Sequence, residues 1–544
     1  MAVVCRKKRL SRISKKKDIL EKITILSLIL WLIQNHAMSL TKIVRLAFVP
    51  RQKELARQAR EGAPVQQKTL RYLTDQARNT EFGRRYGLPE VRTYEDFAAR
   101  VPLHTYEELK QDIDRMRHGA DDILWPGRVK WYAKSSGTTA DKSKFIPVSR
   151  EGLQKAHYRG GFDSLAYYLQ NHPESRIFDG KALILGGSHA PNFNVKDSLV
   201  GDVSAIMLEN INPIANLVRI PKKETALISD FEIKRDRIAR ETMNQNVTNI
   251  SGVPSWMMSV LERVMELSGK THLEEVWPNL EVFFHGGVAF TPYRSQYERL
   301  ITSPKMHYME TYNASEGFFG LHDDPADPAL RLTLDYGIFY EFIPMNAFGR
   351  ANPTVVPLWG VETGQNYAMV ISTCCGLWRY IIGDTVRFTA KDPYKFVITG
   401  RTKQFINAFG EELIVDNAEQ GLAFACRETG AEVLEYTAAP VYMDEARHCR
   451  HQWVIEFSKE PADLLRFTAL LDKRLQTLNS DYEAKRFKDI TLQQLEIVPA
   501  RRGLFKDWMR QRGKLGGQHK VPRLSNTRDY IDQLLTLNQE NHAR

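Results

Sequence analysis

The run Lys134-Ser135-Ser136-Gly137-Thr138-Thr139-Ala140-Asp141-Lys142-Ser143-Lys144 packs hydroxyls, lysines and one glycine into a short stretch. That mixture suits a polyphosphate. Hydroxyls and successive backbone N–H groups donate to phosphate oxygens, a glycine lets the backbone come close, and a lysine offsets charge. The run is not a Walker A loop, because Lys142 stands where that pattern needs its second glycine. Alone, a Ser/Thr-rich turn of this kind is more often plain surface, so its weight depends on its companions.

Four later segments accompany it. Tyr312-Asn313-Ala314-Ser315-Glu316-Gly317 closes a strand-like run with an aromatic that could stack on a base and a carboxylate that could hold Mg²⁺. As a serine-hydrolase elbow it fails, since Asn313 replaces the first glycine of G-x-S-x-G. Asp384, after Gly383, is placed to accept two hydrogen bonds from ribose hydroxyls, although a turn-capping Asp is the default in isolation. Gly400-Arg401-Thr402-Lys403-Gln404 is the third segment. The fourth, Gly516-Gly517-Gln518-His519-Lys520-Val521-Pro522-Arg523, carries a glycine-flanked lysine that by itself would read as a solvated surface residue.

The other chemical candidates are weaker. His285, before Gly286-Gly287, reads equally as a contact to an acyl group or base and as a satisfied structural histidine. His448 and His451 form H-x-x-H beside Cys449 without an acidic partner pattern, so they read as surface residues and not as a metal site. The five cysteines, Cys5, Cys374, Cys375, Cys426 and Cys449, form no C-x-x-C pair. They read as reduced core residues of a cytosolic protein.

The elements that must position these groups follow an α/β pattern. Residues 40 to 120 suggest a helical layer, and from 128 to 400 strand-like runs alternate with helical stretches. The runs at 181–187, 280–287, 305–312, 367–373 and 394–400 predict mainly parallel sheets, with an antiparallel part at 365–388. After Gly400 the pattern turns α+β. Leu464, Phe467, Leu471, Leu475 and Leu478 predict one helix, and Ile531, Leu534 and Leu535 another after Ser525. The expected division is a leader at 1–37, an N-terminal domain at 38–402 and a C-terminal domain at 403–544.

A chain of 544 residues exceeds one hydrophobic core, and 43% hydrophobic with 26% charged residues marks an ordinary globular composition. Of the net charge of +11, +7 falls within residues 1–37, leaving +4 for everything after. So thin a charge argues against nucleic-acid binding. In the leader a lysine run precedes the apolar segment Ile23 to Ile33, which is shorter than a membrane span. Asn35 spoils a signal-peptidase site before Ala37, and Met38 opens an ordinary start. Residues 1–37 read as a leader or upstream translation start without order, a membrane anchor being the lesser reading. A cytoplasmic monomer is expected.

Taken in order, the SSGTT loop, Tyr312-x-x-Ser315-Glu316, Gly376-Leu377-Trp378-Arg379-Tyr380-x-x-Gly383-Asp384 and Gln518-His519-Lys520-Val521-Pro522-Arg523 resemble the adenylate-forming superfamily of acyl-CoA synthetases and luciferases. Within it they are most similar to the Gretchen Hagen auxin-responsive acyl acid amido synthetase family, over roughly residues 38 to 544. The resemblance implies a large N-terminal domain of mixed β-sheets with flanking helices, joined by a hinge to a small α+β C-terminal domain. It also implies site roles. Ser135, Ser136, Gly137, Thr138 and Thr139 would cradle the phosphates of ATP, helped by Lys144. Tyr312 would flank adenine, while Ser315 and Glu316 would serve the α-phosphate and Mg²⁺. Asp384 would bind ribose with Arg401 nearby, Lys403 would be the hinge, and Lys520 the catalytic lysine of adenylation.

Two departures bear on this. Asp141 replaces a usual glycine of the loop, and Gln404 and Asn407 differ from the commonest hinge wording, which weakens a coenzyme A assignment. The implied reaction is activation of a carboxylic acid as acyl-AMP and transfer to an amine, with an amino acid as the expected acceptor. Delivery to coenzyme A is the alternative, and a binding protein acting through its basic leader is a third reading. Trp256, Met257 and Phe290 are candidate acyl-pocket residues.

Overall fold

The computed structural model describes residues 39–135, 144–213, 215–287, 290, 293–402, 405–406, 408, 411, 413–441, 449–486, 492–514 and 520–540. The strands, in chain order, begin with β1 (Trp131–Ser135), β2 (Lys144–Val148), β3 (Lys181–Ile184), β4 (Leu199–Gly201), β5 (Arg219–Ile220), β6 (Val247–Gly252) and β7 (Val282–Gly286). Next come β8 (His307–Ala314), β9 (Gly317–Leu321), β10 (Leu330–Leu332), β11 (Ile338–Pro344), β12 (Val356–Pro357), β13 (Asn366–Thr373), β14 (Tyr380–Lys391) and β15 (Tyr394–Arg401). The last are β16 (Phe405–Ile406), β17 (Leu413–Ile414), β18 (Glu432–Val441), β19 (Arg450–Lys459) and β20 (Glu496–Ala500).

A 12-stranded sheet dominates, in the order β12-β11-β13-β14-β15-β10-β9-β8-β7-β6-β3-β5. Its pivot is β8. From β5 to β8 every pairing is parallel, and from β8 to β12 every pairing is antiparallel. The expectation of mainly parallel sheets therefore holds for one half only. The physical reason is connection length. Helices Phe231–Thr242, Pro254–Ser268 and Arg294–Leu300 separate β5, β6, β7 and β8, long enough for crossovers. Beyond β8 the direct links β8–β9, β9–β10, β13–β14 and β14–β15 are short, down to the two residues Ser315 and Glu316, and such tight links permit only antiparallel neighbours.

The helical layer expected over 40 to 120 is present as Leu40–Gln58, Gly62–Ala77, Tyr94–Arg100 and Tyr106–Arg117. It is stitched to the sheet by Arg379. Its guanidinium meets Glu341 at 2.8 Å and donates to the carbonyls of Ala98 (3.0 Å) and Val101 (2.7 Å). Trp378 beside it stacks on Phe82 at 5.3 Å and donates to the Leu124 carbonyl. Cys374 and Cys375 are free and buried, in the turn after β13 and not within a strand.

After β15, a second core gathers Leu413, Tyr436, Trp453, Ile455, Phe467, Leu471, Leu475 and Leu524 around the β18-β19-β20 sheet. Helix Leu464–Leu478 buries the predicted Phe467, Leu471 and Leu475 face, and helix Asp529–Glu540 packs Ile531 and Leu534 against Trp508. His451 corrects an expectation. It lies on β19, the middle strand of that sheet, is fully buried, and places Nε2 2.8 Å from a Glu411 carboxylate oxygen. An inward position on a central strand makes a surface reading untenable; His448 lies outside the described residues. No helix among the described residues is long and apolar enough to cross a membrane.

Candidate active site

A cavity of about 1480 Å³ opens at the carboxyl ends of β7 and β8 and reaches both faces of the large sheet. Strand alternation divides its walls. His285, Glu310 and Tyr312 point to one face, toward the C-terminal part of the chain. Ser251, Phe284, Thr311 and Asn313 point to the other, where Ile184, Met207, Val218 and Phe318 make an apolar lobe.

Ser135, Tyr312, Ser315, Glu316, Asp384, Arg401 and Lys520 all line this one cavity. Ser136, Gly137, Thr138, Thr139 and Lys403 lie outside the described residues. Ser135 ends β1, directly across the ladder from Lys144 at the start of β2. The Lys144 ammonium is 3.3 Å from the Tyr380 hydroxyl.

Ser315 and Glu316 are the two-residue turn between β8 and β9, closed by the Ala314–Gly317 pair. So short a turn gives their side chains little freedom. Burial raises the Glu316 carboxyl pKa, and the nearby positive charge of Lys144 opposes that rise. Asp384 is not a turn residue but part of β14, opposite Arg401 on β15, with its Oδ1 3.0 Å from Arg401 Nε. Its Oδ2 accepts from the Tyr312 hydroxyl. A carboxylate offers about four acceptor positions, so Asp384 retains capacity for a diol.

Lys520 arrives from the C-terminal segment. That segment is tied to β18 by Ala438 N–H donating to the Arg523 carbonyl at 2.9 Å and Thr437 Oγ1 donating to the Pro522 carbonyl at 2.6 Å. Arg523 itself pairs with Glu435. Lys520 stays open to cavity water although protein surrounds it, and burial, with Arg401 next in weight, lowers its pKa to about 8.

Sequence reasoning missed Glu310. Its carboxylate has no hydrogen-bond or ion-pair partner among the described residues, and burial pushes its pKa up to about 7. The signal was available only as alternation, since Glu310 is two residues before Tyr312 on the same strand face. His285, opposite Glu310 in the β7–β8 ladder, has its Nδ1 buried without a partner among the described residues, unlike a satisfied structural histidine. Trp256 and Phe290 line the cavity, whereas Met257 is fully buried in the core behind it. Among the described residues no group of three or more His, Cys, Asp or Glu could hold a metal by itself. Mg²⁺ in polyphosphate sites asks for less: one or two carboxylates completed by phosphate oxygens and water, which Glu316 fits.

Models of the GH3 family match in chain order, the N-terminal domain over residues 51–306, the central domain over 331–401 and the C-terminal domain over 416–529. The chain belongs to the GH3 family. Indole-3-acetic acid-amido synthetase GH3.4 of Arabidopsis thaliana is 24% identical over 539 residues, which span 84% of this chain and 88% of that one. Indole-3-acetic acid-amido synthetase GH3.8 of Oryza sativa subsp. indica is 24% identical over 549 residues, spanning 84% and 87%. Among solved structures, GH3.15 acyl acid amido synthetase superposes with a TM-score of 0.73 at 18% identity, covering 90% of this chain and 95% of its own. A 2-hydroxyisobutyryl-CoA ligase in the postadenylation state, with 2-HIB-AMP, superposes at 0.56 with 14% identity, covering 89% and 92%. The mixed sheets and separate C-terminal core are thus the GH3 form of the adenylate-forming fold.

Proposed function

We propose that this GH3 chain activates a carboxylic acid with ATP as acyl-AMP and then transfers the acyl group to the amine of an amino acid. It is an acyl-adenylate-forming ligase of the acid–amino acid type. The observation that carries this reading is convergence. Glu316, Asp384 with Tyr312 and Arg401, and Lys520, from distant parts of the chain, line one cavity that continues into an apolar lobe.

A carboxylate is a poor electrophile and must gain a leaving group. Its oxygen attacks the α-phosphorus in line, and pyrophosphate departs. Charge grows on the α-phosphate oxygens and the departing pyrophosphate, where the Lys520 ammonium and the hydroxyls of the 135–139 loop act. Positioning and electrostatic stabilisation are what phosphoryl chemistry needs. Mg²⁺, held by Glu316 and phosphate oxygens, would supply further charge neutralisation. Asp384 takes the ribose hydroxyls, Tyr312 covers one face of adenine, and Glu310 on the same strand face offers an acceptor to the exocyclic amine. The amine then attacks the acyl carbon and AMP leaves. A rotation of the C-terminal domain about Lys403 between the half-reactions would withdraw Lys520 and admit the amine. The setting is a cytoplasmic monomer, where ATP is available.

The relatives named above are indole-3-acetic acid-amido synthetases, and a related crystal holds GH3.15 with 2,4-DB. Indole-3-acetate accordingly heads the acids to try. The test is ATP–pyrophosphate exchange with indole-3-acetate, benzoate and octanoate, followed by amide formation with mixed amino acids. Exchange with an acid and amide with an amino acid are expected. Absence of exchange with every acid, or thioester with coenzyme A in place of amide, would overturn the reading.

A further inference from the structure

We propose that Asn313 is a catalytic residue of the second half-reaction, its side-chain amide donating to the acyl carbonyl oxygen as the amine attacks, with His157 as the positioning residue behind it. The proposal rests on the amide-ligase reading and adds a role to it.

The first support is placement. Asn313 points to the opposite face from Tyr312, toward the lobe walled by Thr311 and Phe284. It stands two residues before Ser315, about 7 Å along the strand. It therefore lies between the lobe that takes the acid and the turn that faces the phosphates, where the acyl carbonyl must sit. A register shift in the β8–β9 ladder falls between Tyr312 and Asn313, the kind of irregularity that re-aims a side chain beside a site.

The second support is the His157 contact. Its Nδ1 is 2.8 Å from Asn313 Oδ1, and only 2% of the residue is exposed. Burial lowers the His157 pKa to about 4, so at neutral pH the ring is uncharged and carries one N–H. With that N–H on Nδ1 donating to Oδ1, the Asn313 amide nitrogen keeps both donors for the cavity and has no protein partner among the described residues.

Third, the helix is built to hold this aim. His157 ends a π-helical turn, Leu153–His157, a local form frequent at functional sites. Three residues on, Gly160 seats the same helix face against Phe318, the ladder partner of Asn313, and a Cβ there would meet the ring at 2.3 Å.

The chemistry separates the two half-reactions. When the amine lone pair forms the C–N bond, the carbonyl π pair moves onto oxygen. That pair then returns, the C–O bond to AMP breaks with its electrons going to AMP, and the surplus nitrogen proton passes to water. Negative charge builds on the carbonyl oxygen only here. During adenylation the carboxylate loses charge as it attacks, so a donor on it gives no advantage at that transition state.

The experiment compares wild type, Asn313→Ala, Asn313→Asp, His157→Leu and His157→Gln. One readout is ATP–pyrophosphate exchange, and the other is single-turnover trapping of the acyl-adenylate by hydroxylamine, using whichever of indole-3-acetate, benzoate or octanoate exchanges fastest. Asn313→Ala and Asn313→Asp are expected to slow trapping by ~10²-fold more than they slow exchange. His157→Leu should fall between, with His157→Gln restoring much of the loss because its amide can donate to Oδ1. Equal loss in both readouts, or undiminished trapping in Asn313→Ala, overturns the role. A wild type that exchanges but yields no hydroxamate overturns the ligase reading itself, and this role with it.

Discussion

An ammonium with a pKa near 8 is a cation only below that pH, and Lys520 is such a group. Raising pH through 8 removes the charge that the proposed mechanism directs at the α-phosphate. The kcat/KM for ATP in pyrophosphate exchange, which reports ionisations of the free enzyme, is expected to fall with one titration near pH 8. Lys520→Arg should flatten that alkaline limb, and Lys520→Ala should lose ~10²–10³ in rate at neutral pH. A wild-type profile that stays level well above pH 8 would remove Lys520 from the chemistry. Glu310 titrates in the opposite sense. Its folded pKa, about 7, lies above the ordinary 4.5, so the folded protein holds the proton more tightly. Stability present below pH 4.5 is therefore lost as pH rises through 7. Glu310→Gln is expected to raise Tm at pH 8 and to change it little at pH 4.5; equal shifts at both would refute the assignment. That Tyr312, Asp384 and Lys520 share one cavity was legible because residue type and order sufficed to group them. Glu310 and Asn313 were not, because nothing local says which face of β8 meets which lobe.

At the level of elements, periodicity served where one face is buried. The leucines of Leu464–Leu478 were readable for that reason, and β3, β7, β8, β13 and β15 as apolar runs, β13 being buried on both faces. Pairing direction was less readable, since it depends on how long each connection is, and the switch at β8 sits on a turn of two residues. The Gly376–Asp384 motif also hides two different duties. Asp384 lines the cavity, whereas Arg379 is a structural rivet, buried with Glu341 and binding two carbonyls of the helical layer. Removing one partner of such a pair strands a buried charge. Arg379→Met is expected to cost about 3–5 kcal/mol in urea unfolding, and adding Glu341→Leu should recover a substantial part. A loss below 1 kcal/mol would mean the pair is not what joins layer to sheet.

Over the whole molecule, three ion pairs among the described residues bridge the part before β15 to the part after it, one of them Arg387 Nη2 3.4 Å from Asp416 Oδ2. Arg299 on Arg294–Leu300 meets Glu432 on β18, with Nη2 3.0 Å from Oε2, and Lys506 meets Glu232 at 3.3 Å. Exposed pairs of this kind are worth about 0.2–1 kcal/mol each, enough to bias this arrangement and weak enough to yield to the rotation proposed above. Glu432→Arg combined with Glu232→Arg is expected to lower pyrophosphate exchange severalfold, an effect that added salt should imitate in wild type. Unchanged exchange would deny them a part in holding Lys520 at the cavity. The passage joining the two lobes has one more outcome. A molecule that fastens adenosine to an acyl tail through an uncleavable sulfamate would give up its freedom of tumbling once and press against both sets of walls, so it would outbind either fragment alone. Varying only the tail then turns this chamber into a ruler for the unknown acid.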